Sequence, residues 1–286
     1  MTRVLVCGAG GFIGRAIAAQ LRSAGFDVIA PRSHELDFAR LLNAAEWLPH
    51  LQGVDAVVNA VGVLRDSRHR PMDAIHHRAP AALFDACAQL GVRRVVQISA
   101  LGIDASTTRY GSTKRAADEH LLALRNAGRL NATVVRPSIV FGRDGVSSQL
   151  FMRLARLPLL VLPAAALRSR VQPVAVGDLA DAIARLLAMP EPPARLSAVG
   201  PRALTLAEFI GTLRQQLGHN AARAFALPDT PSRWSARLGD CVPVQPWCSE
   251  TLNLLWTDNI DGAGPFAALL GRAATAPEAL VEVAWS

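Results

Sequence analysis

The sequence predicts an α/β fold in which a doubly wound parallel sheet is followed by a smaller C-terminal lobe. Over the first 140 residues, short β-branched runs alternate with longer amphipathic segments rich in Ala and Leu, a pattern typical of βαβ units. A glycine-rich turn joins the first run to the first amphipathic segment. Hydrophobic residues make up 51% of the 286 residues, which is enough to cover a parallel sheet and excludes general disorder.

The elements follow from hydrophobic spacing along the chain. The predicted strands are Arg3–Cys7, Asp27–Ala30, Glu35–Phe38, Ala56–Ala60, Arg94–Ser99 and Ala132–Arg136. The predicted helices are Phe12–Ala24, Ala39–Leu48, Met72–Leu90, Tyr110–Ala127, Asp178–Ala188 and Thr205–Leu217. The last helix begins with Thr205 and Glu208 at capping-box spacing. We expect a first domain of residues 1–190 and a C-terminal lobe of residues 191–286, with the two lobes interleaved.

Charge and cysteine content limit the class of protein. The formal net charge of +7 comes from arginine, because Lys114 is the only lysine. The arginines are scattered rather than clustered with aromatic residues, so the sequence predicts no nucleic-acid binding. The cysteines, which show neither CxxC nor metal-ligand spacing, are Cys7, Cys87, Cys241 and Cys248. Reduced thiols in a protein without a bound metal explain them.

The sequence also predicts where the protein resides. The chain starts with a strand and a glycine turn rather than a signal peptide, so a cytoplasmic location is expected. The longest apolar stretch, Leu157–Leu167, is too short to span a bilayer and contains two prolines. A peripheral contact with a membrane surface or with another protein is left open for this stretch and for the C-terminal fifth of the chain, which holds four of the five tryptophans.

The strongest local motif is the glycine turn between the first strand and the first helix. Gly8 permits a tight turn, Gly11 lets the backbone approach a pyrophosphate, and Gly14 lets the helix pack closely. The backbone N–H groups at the start of the helix then face the phosphates. Between a buried strand and an amphipathic helix, this pattern predicts a Rossmann-type dinucleotide-binding domain.

The residues after the second strand bear on the choice of dinucleotide. Arg32 stands where many NAD-binding sites place a carboxylate, and an arginine there would pair with a 2′-phosphate. NADP(H) is therefore favoured, while NAD(H) stays open. Asp37, in the predicted third strand, would reach the adenine. The small residues Ala60, Val61 and Gly62 close the fourth strand, where their backbone would line the cofactor cleft.

A tyrosine and a lysine four residues apart form the candidate reaction centre. Tyr110 is the only tyrosine and Lys114 the only lysine, and both lie on one face at the start of a predicted helix. An ammonium near a phenol would lower the pKa of the phenol towards neutral pH. The phenol would then exchange a proton with a substrate oxygen while a hydride moves to or from a nicotinamide.

Together these motifs resemble the short-chain dehydrogenase/reductase superfamily, in its extended and atypical branches of NAD-dependent epimerase/dehydratase-like proteins. The resemblance covers roughly the first 190 residues well. The chain is most similar there to the atypical group that contains the NADPH-binding accessory subunit of respiratory complex I. The motifs that carry the resemblance are G-x-x-G-x-x-G from Gly8, Tyr-x-x-x-Lys from Tyr110, the segment Arg136–Gly142 and the segment Val174–Ala180.

The resemblance implies a role for each matching residue. The residues implied to hold the cofactor are Gly8, Gly11, Phe12, Ile13, Gly14, Arg32, Asp37, Ala60, Val61, Gly62, Tyr110, Lys114 and Pro137. Tyr110 and Lys114 would also be catalytic, together with Ser99 as the hydroxyl that orients the substrate. Two departures stand out, because a shift of one residue would place Ala100 at the position of that hydroxyl, and His76 replaces a frequent asparagine. Thr107 and Thr108 are substitutes for the hydroxyl.

Two functions compete on this basis. The first is an NADP(H)-dependent oxidoreductase or epimerase-like enzyme acting on a small-molecule substrate that the sequence does not identify. The second is a non-catalytic subunit that holds NADPH as a structural element or senses its redox state. Oligomeric state stays open, and the resemblance adds homodimers as an expectation.

Overall fold

The computed structural model describes residues 1–240 and 247–285. The chain forms two compact units, each built from two segments that alternate along the sequence. Unit 1 comprises Met1–Pro137 and Leu179–Leu196, and unit 2 comprises Ser138–Asp178 and Ser197–Ser286. The predicted boundary at residue 190 lies inside the segment that returns to unit 1.

The strands and helices alternate in unit 1 and become shorter in unit 2. The strands are β1 Arg3–Cys7, β2 Asp27–Ile29, β3 Ala56–Asn59, β4 Arg94–Ile98, β5 Ala132–Pro137, β6 Val140–Phe141, β7 Leu159–Pro163, β8 Arg170–Val171, β9 Val174–Ala175, β10 Arg195–Ala198, β11 Leu204–Thr205 and β12 Arg223–Leu227. The α-helices are α1 Phe12–Ser23, α2 Ala44–Trp47, α3 Ala79–Leu90, α4 Arg109–Asn126, α5 Val146–Ala155, α6 Val176–Ala188, α7 Leu206–Gln216, α8 Asp229–Asp240, α9 Ser249–Leu254, α10 Gly264–Leu270 and α11 Leu280–Trp285.

Unit 1 is built on a parallel sheet with the strand order β10-β5-β4-β3-β1-β2. The pairs from β2 across to β5 are all parallel. The order reverses at β1, whose neighbours are β2 on one side and β3 on the other. Ligands of open α/β sheets bind at such a reversal, beyond the carboxyl ends of the strands. The predicted α/β fold with a parallel sheet is confirmed.

The sheet is buried because its strands are almost continuously apolar. Leu5, Val57 and Val95 are 0–1% exposed and belong to one core cluster with the inner faces of α3 and α4. This pattern is expected where helices cover a parallel sheet. Cys7 and Cys87 are buried free thiols in this core, whereas Cys241 lies outside the described residues.

The predicted strand Glu35–Phe38 is wrong. Leu36 and Phe38 are buried and Asp37 between them is exposed, which imitates the two-residue period of a strand. The backbone instead forms a turn, in which the Glu35 carboxylate accepts a hydrogen bond from the Arg32 N–H and Asp37 Oδ1 accepts one from the Ala39 N–H. Such local side-chain bonds compete with pairing in a sheet.

The predicted helix Ala39–Leu48 is wrong in its first half. Helix α2 begins only at Ala44, and a 3-10 turn, Leu48–Leu51, continues it. The Glu46 carboxylate accepts hydrogen bonds from the N–H groups of Leu42 and Asn43, which fixes the start of the helix there. The other predicted helices and strands agree with the structure within a few residues at their ends. Met72–Leu90 is divided into a π-helical turn, Ala74–Arg78, and α3.

The described part of unit 2 has three separate two-stranded sheets, β6 with β9, β8 with β11, and β7 with β12. Its core centres on Phe141, Phe151 and Phe209, whose rings meet edge to face with centroids 5.6–5.8 Å apart. The predicted capping box at the start of α7 is confirmed, because Thr205 Oγ1 accepts from the Glu208 N–H and Glu208 accepts from the Thr205 N–H. Among the described residues, no helix has the length and apolarity to cross a membrane.

Candidate functional site

The glycine turn after β1 is shaped by close backbone contacts. Gly8 has a φ of +81°, a conformation that side chains with a Cβ rarely adopt. A Cβ on Gly14 would lie 2.6 Å from the carbonyl carbon of Gly8 and closer still to its oxygen. The third glycine, Gly14, therefore lets α1 pack directly against the glycine turn. This contact explains the need for glycine at position 14 more specifically than packing on the sheet does.

The start of α1 has the donor set that a dinucleotide pyrophosphate requires. Gly11 precedes the helix in an extended conformation, and no side chain caps the helix. The first turn, which includes Phe12 and Ile13, contains no acidic residue. The N–H groups of a first helical turn have no partner within the helix, and the helix dipole adds partial positive charge there. These residues fit the diphosphate of a dinucleotide.

The backbone of residues 60–62 links the glycine turn to the Tyr110 region. A Cβ on Gly8 would lie 3.0 Å from backbone atoms of Ala60 and Val61. A Cβ on Gly62 would lie 3.5 Å from Lys114 Nζ. A buried amide pair holds the segment, since Asn59 Nδ2 donates to Gln97 Oε1 (2.8 Å) and Asn59 Oδ1 accepts from the Val61 N–H. The predicted cofactor residues Ala60, Val61 and Gly62 thus lie between the turn and the lysine.

Lys114 is buried and binds main-chain oxygens at the carboxyl ends of two strands. Its Nζ donates to the carbonyl oxygens of Ile98 (3.0 Å) and Val61 (3.4 Å). Burial lowers the pKa of Lys114 to about 8, although the nearby Asp118 carboxylate opposes this change. The ammonium is thus positioned by one oxygen at the end of β4 and by another two residues beyond the end of β3.

Tyr110 lies in the first turn of α4 and is only partly exposed. Burial, with a smaller effect of the Asp118 charge, raises the pKa of Tyr110 to about 12. The prediction that Lys114 lowers the pKa of Tyr110 is therefore wrong for this structure. At neutral pH the phenol keeps its proton.

His76 is buried beside this pair and is held by two hydrogen bonds. Its Nε2 accepts from the Val63 N–H (2.9 Å), so the Nδ1 proton points to Thr113 Oγ1 (3.2 Å). Its ring meets the Tyr110 ring edge to face, with centroids 5.3 Å apart. Burial and the Lys114 charge lower the pKa of His76 to about 2. His76 is therefore a neutral ring at neutral pH, fixed beside Tyr110 by these contacts.

His76 predicts an acid-sensitive component of stability. The folded chain keeps the ring neutral down to about pH 2, whereas an unfolded histidine takes up a proton near pH 6.5. The free energy of unfolding should therefore fall as the pH drops below 6.5, by about 2 kcal/mol on reaching pH 5. Urea unfolding at both pH values measures this. His76→Gln should lose that pH dependence and the exposed control His34→Gln should keep it; an unchanged dependence in His76→Gln would contradict the assignment.

Ser99 belongs to a buried polar network. Its Oγ donates to Asp118 Oδ2 (2.8 Å), which also accepts from Arg136 Nε (3.1 Å). Arg136 NH1 donates to Asp104 at the outer end of the network (2.6 Å). Because the Ser99 proton is bound to the carboxylate, the hydroxyl can accept a hydrogen bond from a substrate but has no free proton to donate. Ser99 follows β4 directly, as predicted, and Ala100 is partly exposed beside it.

Asp118 and its partner Arg136 belong to this network, although no sequence motif predicts a role for either side chain. Burial raises the pKa of Asp118, against the opposing effects of the Ser99 hydrogen bond and the Arg136 charge. Its Oδ1 is a buried atom that has no hydrogen-bond partner among the described residues. A signal was present, because Asp118 stands four residues after Lys114 on a helix face that continues with Leu121 and Leu122, where a charge is unusual. Only the fold shows that Arg136 faces it.

The remaining predicted residues have varied surroundings. Arg32 is exposed just beyond β2, and Asp37 is exposed in the turn that replaces the predicted third strand. The Pro137 carbonyl ends β5 and accepts a hydrogen bond from the Leu101 N–H (3.0 Å). Thr108 caps α4 through Oγ1, which accepts from the Gly111 N–H, so it is committed to the helix. The described residues contain no group of three His, Cys, Asp or Glu side chains that could hold a metal ion.

Comparison with known proteins identifies a family and a set of similar structures. A sequence model described as the NAD dependent epimerase/dehydratase family matches residues 4–195. A rat mitochondrial protein, subunit 9 of the NADH dehydrogenase (ubiquinone) 1 alpha subcomplex, is 24% identical over 264 residues, which are 86% of this chain and 69% of the relative.

Solved structures share the fold at low sequence identity. The UDP-N-acetylglucosamine 4-epimerase of Bacillus cereus has a TM-score of 0.72 at 17% identity, covering 99% of this chain and 98% of the other. The UDP-glucuronic acid 4-epimerase of the same organism, in complex with UDP-glucuronic acid and NAD, has a TM-score of 0.69 at 15% identity over the same shares of the two chains.

Proposed function

The chain belongs to the NAD dependent epimerase/dehydratase family, and from this premise we propose that unit 1 binds a nicotinamide dinucleotide and catalyses hydride transfer with Tyr110 as the acid/base. The substrate is a small molecule with a carbonyl or secondary alcohol. Structures similar to this chain include epimerases of nucleotide sugars, which makes that class the first to test.

One observation carries the proposal. The segment 60–62 packs against Gly8 in the glycine turn and against Lys114, whose neighbour His76 contacts Tyr110. A dinucleotide that begins at the start of α1 and follows this segment would bring its far end to the phenol. Hydride transfer requires the nicotinamide and the substrate to be held close together in a fixed orientation.

The proton chemistry follows from the state of Tyr110. A bound nicotinamide would donate or accept the hydride. When a substrate carbonyl is reduced, the phenol gives its proton to the carbonyl oxygen as the hydride reaches the carbon. In the reverse direction, the phenolate takes the hydroxyl proton as the hydride leaves the carbon. Because the pKa of Tyr110 is raised to about 12, the protonated phenol dominates at neutral pH. This form can donate a proton, as carbonyl reduction requires.

An anaerobic titration tests the proposal. The purified chain is mixed with reduced and oxidised NAD and NADP, and then with nucleotide sugars, ketones and quinones, while nicotinamide absorbance and substrate isomerisation are followed. Turnover with one of these classes supports the enzyme. Lack of affinity for every nicotinamide dinucleotide would overturn the proposal.

We extend the proposal to NADP(H) as the preferred cofactor, because Arg32 is exposed where the ribose of the adenosine half is expected. Arg32→Ala should weaken NADPH binding roughly tenfold or more and leave NADH binding nearly unchanged, since a charge-assisted hydrogen bond to the 2′-phosphate is lost. Fluorescence titration measures both affinities. The exposed Arg22 at the end of α1 provides the matched control Arg22→Ala. Equal loss for both nucleotides would contradict the role of Arg32.

A second candidate function is a subunit that binds NADPH without turnover. One observation favours it: the Ser99 hydroxyl is directed to Asp118 and has no free proton to donate to a substrate. The respiratory-chain relative named above is also described as a subunit. In the titration this candidate predicts tight binding and no turnover with any substrate class.

A further inference from the structure

Strands β7 and β12 of unit 2 form a two-stranded parallel sheet with an exposed apolar face. The register pairs Arg223 with Leu159 and Phe225 with Val161. Because side chains alternate along a strand, these four residues share one face, which we call the ladder face. The intervening Leu160 is 3% exposed and belongs to the core of the unit.

The ladder face exposes more apolar surface than a strand pair in water normally does. Val161 is 56% exposed, Phe225 53% and Leu159 49%, and the preceding Leu157 is exposed as well. A sheet with one solvated face usually places polar residues there. A group of adjoining exposed apolar side chains marks a surface that contacts something else.

The two sequence segments that form the ladder face have arginines as their charged residues and contain no acidic residue. Residues 145–177 and 209–228, which contain β7 and β12, have no Asp or Glu. Arg153 and Arg156, in the segment that leads into β7, are exposed, as is Arg223 on the face itself. A binding partner of the ladder face must therefore combine an apolar region that can bury these side chains with negative charge.

Helix α8 begins two residues after β12 and also exposes large apolar residues beside arginines, between the acidic residues Asp229 and Asp240 at its two ends. The inner residues of α8 are small. A Cβ on Gly239 would lie 3.1 Å from the carbonyl carbon of Trp247, so the close packing at this point requires a glycine. The large apolar residues Trp234 and Leu238 point outwards and are 64% and 70% exposed. Arg233 and Arg237 stand beside them and are exposed.

We propose that the ladder face and the outer side of α8 are docking surfaces for an anionic lipid bilayer. The apolar side chains would enter the headgroup region, with Trp234 at the interface, and the arginines would bind lipid phosphates. A second copy of the chain is a poorer occupant, because it would bring arginines against arginines with no carboxylate from either strand segment. This inference concerns unit 2 and is independent of the proposed hydride transfer.

Vesicle co-sedimentation of the full chain tests the proposal. Vesicles of equal parts phosphatidylcholine and phosphatidylglycerol should bind the protein, and phosphatidylcholine alone should bind it at least about tenfold more weakly, with binding to the mixed vesicles falling as salt is raised. The double variant Val161→Ser with Phe225→Ser should reduce binding about tenfold or more. Arg223→Gln should reduce it about fivefold.

The matched control is Leu90→Ser, which removes a leucine that is 41% exposed on α3 in unit 1. It should bind vesicles like the unchanged chain. Circular dichroism and urea unfolding check that each variant is folded. No binding to anionic vesicles, or equal loss in Leu90→Ser and the double variant, would overturn the proposal. A dimer that the double variant dissociates, without lipid binding, would assign the surface to a second copy and overturn it too.

Discussion

Gly14→Ala is expected to abolish dinucleotide binding and to lower the free energy of unfolding by about 3 kcal/mol. The added Cβ would overlap the backbone of Gly8, its nearest atoms being the carbonyl oxygen and carbon. All of these atoms belong to the backbone, so no flexible side chain can move away to make room. One of them must shift, and the N–H groups that fit the diphosphate shift with it. Urea unfolding and a nicotinamide titration measure the two effects.

Gly10→Ala is the matched control within the same turn. A Cβ on Gly10 meets no atom within 4 Å, and its φ is not positive. This variant should unfold like the unchanged chain, within about 0.5 kcal/mol. If Gly14→Ala is as stable as Gly10→Ala and still binds the dinucleotide, the close contact between Gly14 and Gly8 is not what shapes the site.

Tyr110→Phe is expected to reduce turnover by roughly 100-fold to 10,000-fold, the usual effect of removing a general acid. Cofactor affinity should stay within about threefold, because the aromatic ring that packs edge to face on His76 is retained. The loss should fall on kcat rather than on the affinity for the cofactor. Steady-state kinetics in the reducing direction, with the substrate class that the titration identifies, provide the measurement.

The pH dependence separates the role of Tyr110 from a structural one. Because the pKa of Tyr110 is raised to about 12, carbonyl reduction by the unchanged chain should not lose the acid form of this residue between pH 6 and 9. Alcohol oxidation needs the phenolate and should rise with pH through the same range. Full activity of Tyr110→Phe in either direction would reject the assignment of this residue.

Much of unit 1 was predictable because its signals are local. The run Arg3–Cys7 and the following α1 were predicted almost to the residue, since a short apolar run, a glycine turn and an amphipathic segment each encode their own backbone conformation. Glu35–Phe38 had the same alternation as a strand. It was predicted wrongly because Glu35 and Asp37 bind nearby N–H groups, which the period of burial does not reveal.

The candidate site, like unit 1 as a whole, is predictable only in part from the sequence. The sequence alone makes Tyr110 and Lys114 candidates, because they are the only tyrosine and the only lysine in the chain and lie four residues apart. It did not reveal that Lys114 would bind the ends of β3 and β4, or that Asp118 would meet Ser99 and Arg136.

By itself the sequence determined the order of the elements of unit 1 and which residues could do chemistry, because turns, periodicity and residue type are properties of neighbours along the chain. Only the tertiary structure decided the protonation states and partners of those residues. A pKa depends on burial and on charges brought from distant segments, as the raised pKa of Tyr110 and the lowered pKa of Lys114 show.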